Sequence, residues 1–154
     1  MESKEQISFI LRKISTEQFA IIESAFDKSK DNIELGTSLR FGFNTDKRVI
    51  IPLLTINFSQ DKNPFLLLEI GCHFEIIEKH WNNLFNSDSK ELKLPKGLII
   101  HLVMLTVGTI RGVLHAKTEN TPFNKFFIPT INVNDLVKED LIIKTDDSIE
   151  KSNQ

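Results

Sequence analysis

Between Ile33 and Phe43, side chains alternate without a break. Ile33, Leu35, Thr37, Leu39, Phe41 and Phe43 lie on one side, with Glu34, Gly36, Ser38, Arg40 and Gly42 on the other. A period of two over this length predicts a long strand with one buried face. After the turn-forming run Asn44-Thr45-Asp46-Lys47 the pattern resumes at Val49, where Ile50, Leu54, Ile56 and Phe58 oppose Thr55, Asn57 and Ser59. The spacing predicts a hairpin. Pro52 cannot donate to a ladder, which places it at an edge or a bulge. Gln60 to Pro64 forms the next turn. Beyond it, Leu66, Leu68, Ile70, Cys72, Phe74 and Ile76 give an uninterrupted apolar face to a strand from Phe65 to Ile77. Its odd positions begin apolar (Phe65, Leu67) and turn polar (Glu69, His73, Glu75), so one end is expected to be covered on both faces. Ile7 to Ala25 reads as a strand in two pieces around Ser15-Thr16-Glu17-Gln18.

The pattern changes after Trp81. Asn82 to Gly97 is polar, and Leu98 to Lys117 is apolar at helical spacing, with Pro95 near its start. Leu98, Leu102, Leu105, Thr109 and Val113 form one stripe, with Ile99, Val103, Thr106 and Ile110 beside it. The apolar part contains His101 and Arg111 and is too short to span a membrane. Its arc is wide enough to pack a sheet on one side and another helix on the other. Gly108 and Gly112, four apart, read either as a flat spot for close backbone approach or as two tolerated glycines. Pro122 and Pro129 bracket an apolar loop with Phe123, Phe126 and Phe127. Asn132 or Asn134 is placed to cap a short last helix. The expected fold is α+β: a four-stranded antiparallel Greek-key sheet followed by one long and one short helix. The long helix should cover the even-numbered face of the fourth strand. Residues 1–143 make one domain, with 144–154 a disordered tail.

Composition narrows the function. The chain has 154 residues, enough for one domain with a real core. Nineteen basic against twenty-one acidic side chains leave a charge of −2, so neither nucleic acid nor stable membrane insertion is expected. The lone Cys72 excludes an intramolecular disulfide and suggests a reducing, cytoplasmic setting. Twelve Phe and no Tyr make the aromatic surface almost purely apolar.

No catalytic constellation emerges. Cys72 and His73 are adjacent on a strand and point to opposite faces, which spoils them as joint ligands. His101 and His115 lie too far apart on one helix to chelate one ion. Glu69 and Glu75 are about 20 Å apart along one strand face, too far for shared acid–base work. No nucleophile elbow, phosphate loop or dinucleotide fingerprint is present. No enzyme activity, metal or cofactor is expected. What remains is surplus apolar material: Phe65, Leu67, Phe123, Phe126, Phe127, Ile131 and Leu136. It reads either as a second core layer or subunit interface, or as a groove for apolar segments of another chain. The wide helical arc, with His101, Leu105, Gly108 and Gly112, is the expected oligomer interface.

The order of elements resembles the SecB family of export chaperones. Phe9-Ile10-Leu11-Arg12-Lys13-Ile14-Ser15-Thr16 looks like that family's opening strand with its polar break. Phe65 to Ile76, with Gly71 before Phe74-Glu75-Ile76, is similar to its last strand. Arg111, Thr121-Pro122-Phe123 and Ile128-Pro129-Thr130-Ile131-Asn132-Val133 look like its helix arginine, proline loop and closing motif, with the order of Pro and Phe swapped. The resemblance implies an ATP-independent holdase that binds unfolded or precursor polypeptides in apolar grooves and assembles as a dimer of dimers. It also implies docking to the Sec translocase motor through acidic residues. Those positions fall at Gln18 and Ile22 here, with Glu17 and Glu23 as displaced stand-ins. The alternatives are a SecB-like chaperone dedicated to another client, such as an antitoxin, and a non-catalytic domain that binds an apolar ligand.

Overall fold

The alternating segments form strands β1 (Phe9–Ile21), β2 (Ile33–Asn44), β3 (Val49–Gln60) and β4 (Asn63–Ile76) in a computed structural model that describes residues 6–145. They make one antiparallel sheet in the order β1-β4-β3-β2. Three strands run as a meander and the first returns beside the last, which is a Greek key. The chain continues through α1 (Glu78–Leu84), β5 (Phe85–Asn86), β6 (Glu91–Leu94), α2 (Lys96–Thr118), α3 (Val133–Leu136) and β7 (Leu141–Lys144). The architecture is the α+β fold expected.

The even-numbered face of β4 is sealed: Leu66, Leu68, Ile70, Cys72, Phe74 and Ile76 are at most 1% exposed. The long helix α2 covers it, burying Leu98, Ile99, Leu102, Val103, Val107, Ile110 and Leu114. Thr106 and Thr118 share that buried stripe because each hydroxyl donates to the carbonyl four residues back, at 2.8 Å. The β3–β4 hairpin closes through Asp61 and Lys62, both at positive φ (49° and 66°). Two left-handed residues match the strand twist in a two-residue hairpin. Asn132 is the residue that caps the last short helix, accepting from the Asn134 N–H at 3.1 Å.

Several expectations give way. The opening strand is continuous; its polar middle is accommodated by register slips between Leu11 and Lys13 and between Thr16 and Gln18. Pro52 lies in an inner strand, opposite Phe41 of β2, not at an edge. On the β4 side the pairs step from Ile50–Phe74 to Leu53–Gly71 without a slip, and Pro52 falls in that gap. Leu105 drops out of the buried helical stripe and is 42% exposed. The polar stretch after Trp81 hides α1 and the alternation Glu91-Leu92-Lys93-Leu94. Its two leucines are fully buried, and β5, β6 and β7 form a second, three-stranded sheet that was not expected. Lys144 therefore ends a strand and Thr145 is buried, instead of opening a tail. The remaining tail positions, 146–154, lie outside the described residues.

Candidate functional site

Phenylalanines gather where the end of the sheet meets the loop after α2. Phe26, Phe58, Phe65, Phe123 and Phe126 form one cluster, with Phe65 4.9 Å from Phe26 and 5.2 Å from Phe126 between ring centroids. Phe65, Phe123 and Phe126 are 8% exposed or less. Phe65 sits at the slip between Phe58 and Ser59 and packs with the helix-side rings. Leu67 pairs with Ala20 and Asn57 and follows the opposite face. The residues expected to line one groove are thus split between two faces, and three of its four phenylalanines, Phe65, Phe123 and Phe126, are core. Phe127 alone projects, at 67% exposure between buried Phe126 and Ile128. Ile131 and Leu136 are half-buried beside the core. Arg111 holds this loop from α2, its Nε donating to the Ile128 carbonyl at 3.2 Å and its Nη2 to the Pro129 carbonyl at 2.7 Å.

The solvent flank of α2 carries all four expected interface residues. His101, Leu105, Gly108 and Gly112 are exposed, with Met104 beside them at 57%. A Cβ at Gly108 or Gly112 would meet nothing within 4 Å, so the flat spot is open. His101 also packs edge-on against Phe9 of β1, centroids 5.2 Å apart.

The outer face of the sheet, away from α2, is built from charge networks that sequence spacing did not disclose. The partly exposed Arg40 of β2 donates to Glu69 at 2.9 Å, and Thr55 donates to the same carboxylate. That arginine holds Glu69 below the usual carboxylate range, against the opposing effect of burial. Glu75 bridges Arg12 at 2.7 Å and Arg48 at 3.2 Å, joining β1 to the turn between β2 and β3, and it too is lowered, chiefly by Arg12. Ser15 lies 3.0 Å from His73 Nε2 and donates to Glu17 at 2.6 Å. With the hydroxyl proton on Glu17, the imidazole donates to Ser15 Oγ, the reverse of a base activating a nucleophile. Burial and nearby Lys13 push His73 below its ordinary value, so the ring is neutral at pH 7. Glu17 lies on this face and Glu23 in the turn beyond β1, in different elements. Cys72 is fully buried on the opposite face. Among the described residues no group of three His, Cys, Asp or Glu side chains is placed to hold a metal ion. The alternating i, i+2 positions of β2, β3 and β4 were the one signal for the networks, but it does not say which strand lies beside which.

Comparison with known proteins adds little to this geometry. No family model and no curated protein matches the chain. A crystal structure of a protein of unknown function from Streptococcus agalactiae is similar at 10% identity and a TM-score of 0.39, covering 82% of this chain and 99% of that one. A likeness of that size assigns neither fold nor function.

Proposed function

We propose that this protein is a non-catalytic, ATP-independent holdase that binds apolar segments of unfolded or precursor polypeptides. The observation that carries the reading is Phe127. A large ring held two-thirds in water, on a loop anchored by Arg111 and flanked by buried neighbours, gains nothing for the monomer and is suited to contact another chain. Ile131 and Leu136 extend the contact, while Phe65, Phe123 and Phe126 serve as its rigid base. The resemblance to SecB-type chaperones supports the same reading, with self-association through the α2 flank. Delivery to a basic partner such as the Sec motor is the weaker branch, because Glu69 and Glu75 on the outer face are already compensated by Arg40, Arg12 and Arg48. A dedicated client fits the surface better.

The test is suppression of aggregation of an unfolding client without nucleotide, compared with Phe127→Ser. An exposed ring can change without disturbing the core, so the variant should fold normally. Loss of its contact should weaken client binding by about tenfold or more. Unchanged affinity in a folded variant would remove the loop from the site. Failure of the unmodified protein to protect any unfolding client would remove the function.

A further inference from the structure

The three-stranded sheet β5-β6-β7 buries one side of β6 and leaves the other open. Leu92 and Leu94 turn inward, whereas Glu91 and Lys93 turn out. Beside them, α1 carries exposed Asn82 and Asn83 near its C-terminal end, and the hairpin from β5 to β6 carries Asn86. These side chains line a cleft of about 460 Å³, with Leu84 and Phe85 as its apolar wall. The walls are fixed. Phe85 stacks on buried Trp81, centroids 5.8 Å apart, and pairs with Leu92. Asn86 Oδ1 accepts from the Asp88 and Ser89 N–H groups at 2.9 and 3.2 Å, which orders the hairpin turn. The Lys90 carbonyl accepts from both the N–H and the hydroxyl of Thr145 at 2.9 Å, tying that turn to the end of β7. The polar groups of the cleft are unspent. Elsewhere such groups satisfy one another: Glu69 meets Arg40, Glu75 meets Arg12 and Arg48, and Asp61 meets Lys30 and Asn32. Among the described residues, the side chains of Asn82, Asn83, Glu91 and Lys93 make no hydrogen bond or ion pair, although all four line one cleft.

We propose that this cleft binds a neutral polyhydroxylated ligand, a saccharide unit. One carboxylate and one ammonium leave its walls without net charge, so neither a phosphate nor an amine is drawn to it by the local field. Each asparagine offers a donor and an acceptor side by side, Glu91 only accepts and Lys93 only donates. A hydroxyl does both, and adjacent hydroxyls on one ring satisfy all three kinds of group at once. The C–H face of the same ring suits the wall made by Leu84 and Phe85. The volume lies within the range of sites that hold small ligands. The cleft sits on a different sheet from the Phe127 loop, and its ligand goes beyond the holdase reading and does not depend on it.

The test is a titration of the full, nitrogen-15-labelled chain with maltotriose, cellotriose and chitotriose, followed by NMR. At least one of these neutral sugars should saturably shift the backbone amides between Asn82 and Lys93, together with the side-chain amide signals of Asn82 and Asn83. Glu91→Gln keeps the shape of the wall and removes its charged acceptor, so it should weaken the bound sugar by about tenfold. Asn83→Ala changes an exposed helix position and should weaken it severalfold; it decides the matter alone if Glu91→Gln does not fold. Absence of a saturable shift with all three sugars overturns the proposal, as does unchanged affinity in the folded variants. Inorganic phosphate that shifts the same amides where the sugars do not would assign the cleft to an anion at Lys93. An unfolded client that does so would assign it to peptide. Either result overturns the saccharide.

Discussion

The two faces of the four-stranded sheet solve burial by different means. On the helix side, β3 and β4 present an almost purely aliphatic and aromatic surface, sealed under α2 and tolerant of no polar atom without a local partner. On the outer face, arginines from β1, β2 and the turn before β3 converge on two glutamates of β4, and the side chains there remain partly in water. The first face stabilises by area removed from water, the second by fixing which strand sits next to which. The outer face is held close by an absence of side chain: a Cβ at Gly71 would lie 2.9 Å from Leu53 Cδ2, 3.0 Å from Ser15 Oγ and 3.1 Å from Ile51 Cγ2.

The difference is measurable, and the largest effect belongs to the helix side. Phe74→Ala removes a ring that is 1% exposed and edge-on to Phe9 at 5.4 Å, and it should cost about 3–5 kcal/mol in urea unfolding. A loss below about 1 kcal/mol would mean this face is loosely packed. Arg40→Ala strips the buried Glu69 of its charged partner and should cost about 1–3 kcal/mol, less than the core cavity because water reaches the arginine side. Gly71→Ala should cost about 1–2 kcal/mol, since Leu53 and Ile51 must give way by a fraction of an ångström.

Titration separates the faces further, because the β4 groups whose titration folding shifts, Glu69, His73 and Glu75, all lie on the outer face. Glu69 and Glu75 are held below their usual range, so they bind protons less readily folded than unfolded. Their contribution is present above about pH 4.5 and lost as pH falls through their lowered values. His73 acts earlier. Folding depresses its pKa, so below its unfolded value of 6.5 the unfolded chain takes up the proton first and stability declines as pH drops toward the folded value. His73→Gln should flatten the stability profile between neutral pH and the carboxylate region. An unaltered slope in that variant would mean the ring is not shielded by the sheet. This is the smallest of the four effects.

Legibility follows the same division. The helix-side face could be read directly, because strict alternation in β2 and β4 and the 3.6-residue period of α2 each record burial on one side. Pairing across strands could not. Glu69 and Arg40 are 29 residues apart, and nothing in either local pattern says that β2 and β4 flank β3 closely enough for them to meet. Phe65, Phe123 and Phe126 were visible as apolar surplus, yet which of the two readings held, core layer or groove, was decided by packing: the slip at Phe58 and Ser59 turns Phe65 into the core with Phe123 and Phe126, and Phe127 is the projecting ring. The small second sheet was missed because β5 and β6 are too short for alternation to outweigh their polar surroundings.

By itself the sequence determined the fold class, the four long strands and the covering helix, and narrowed the last cap to Asn132 or Asn134, since each depends on periodicity or on a side chain bonding its own backbone. Tertiary structure decided the continuity of β1 through two slips, the inner position of Pro52, the exposure of Leu105 and the convergence of arginines on β4. These depend on which surfaces meet across long separations, where packing and the twist of the sheet choose among arrangements that local pattern leaves equal.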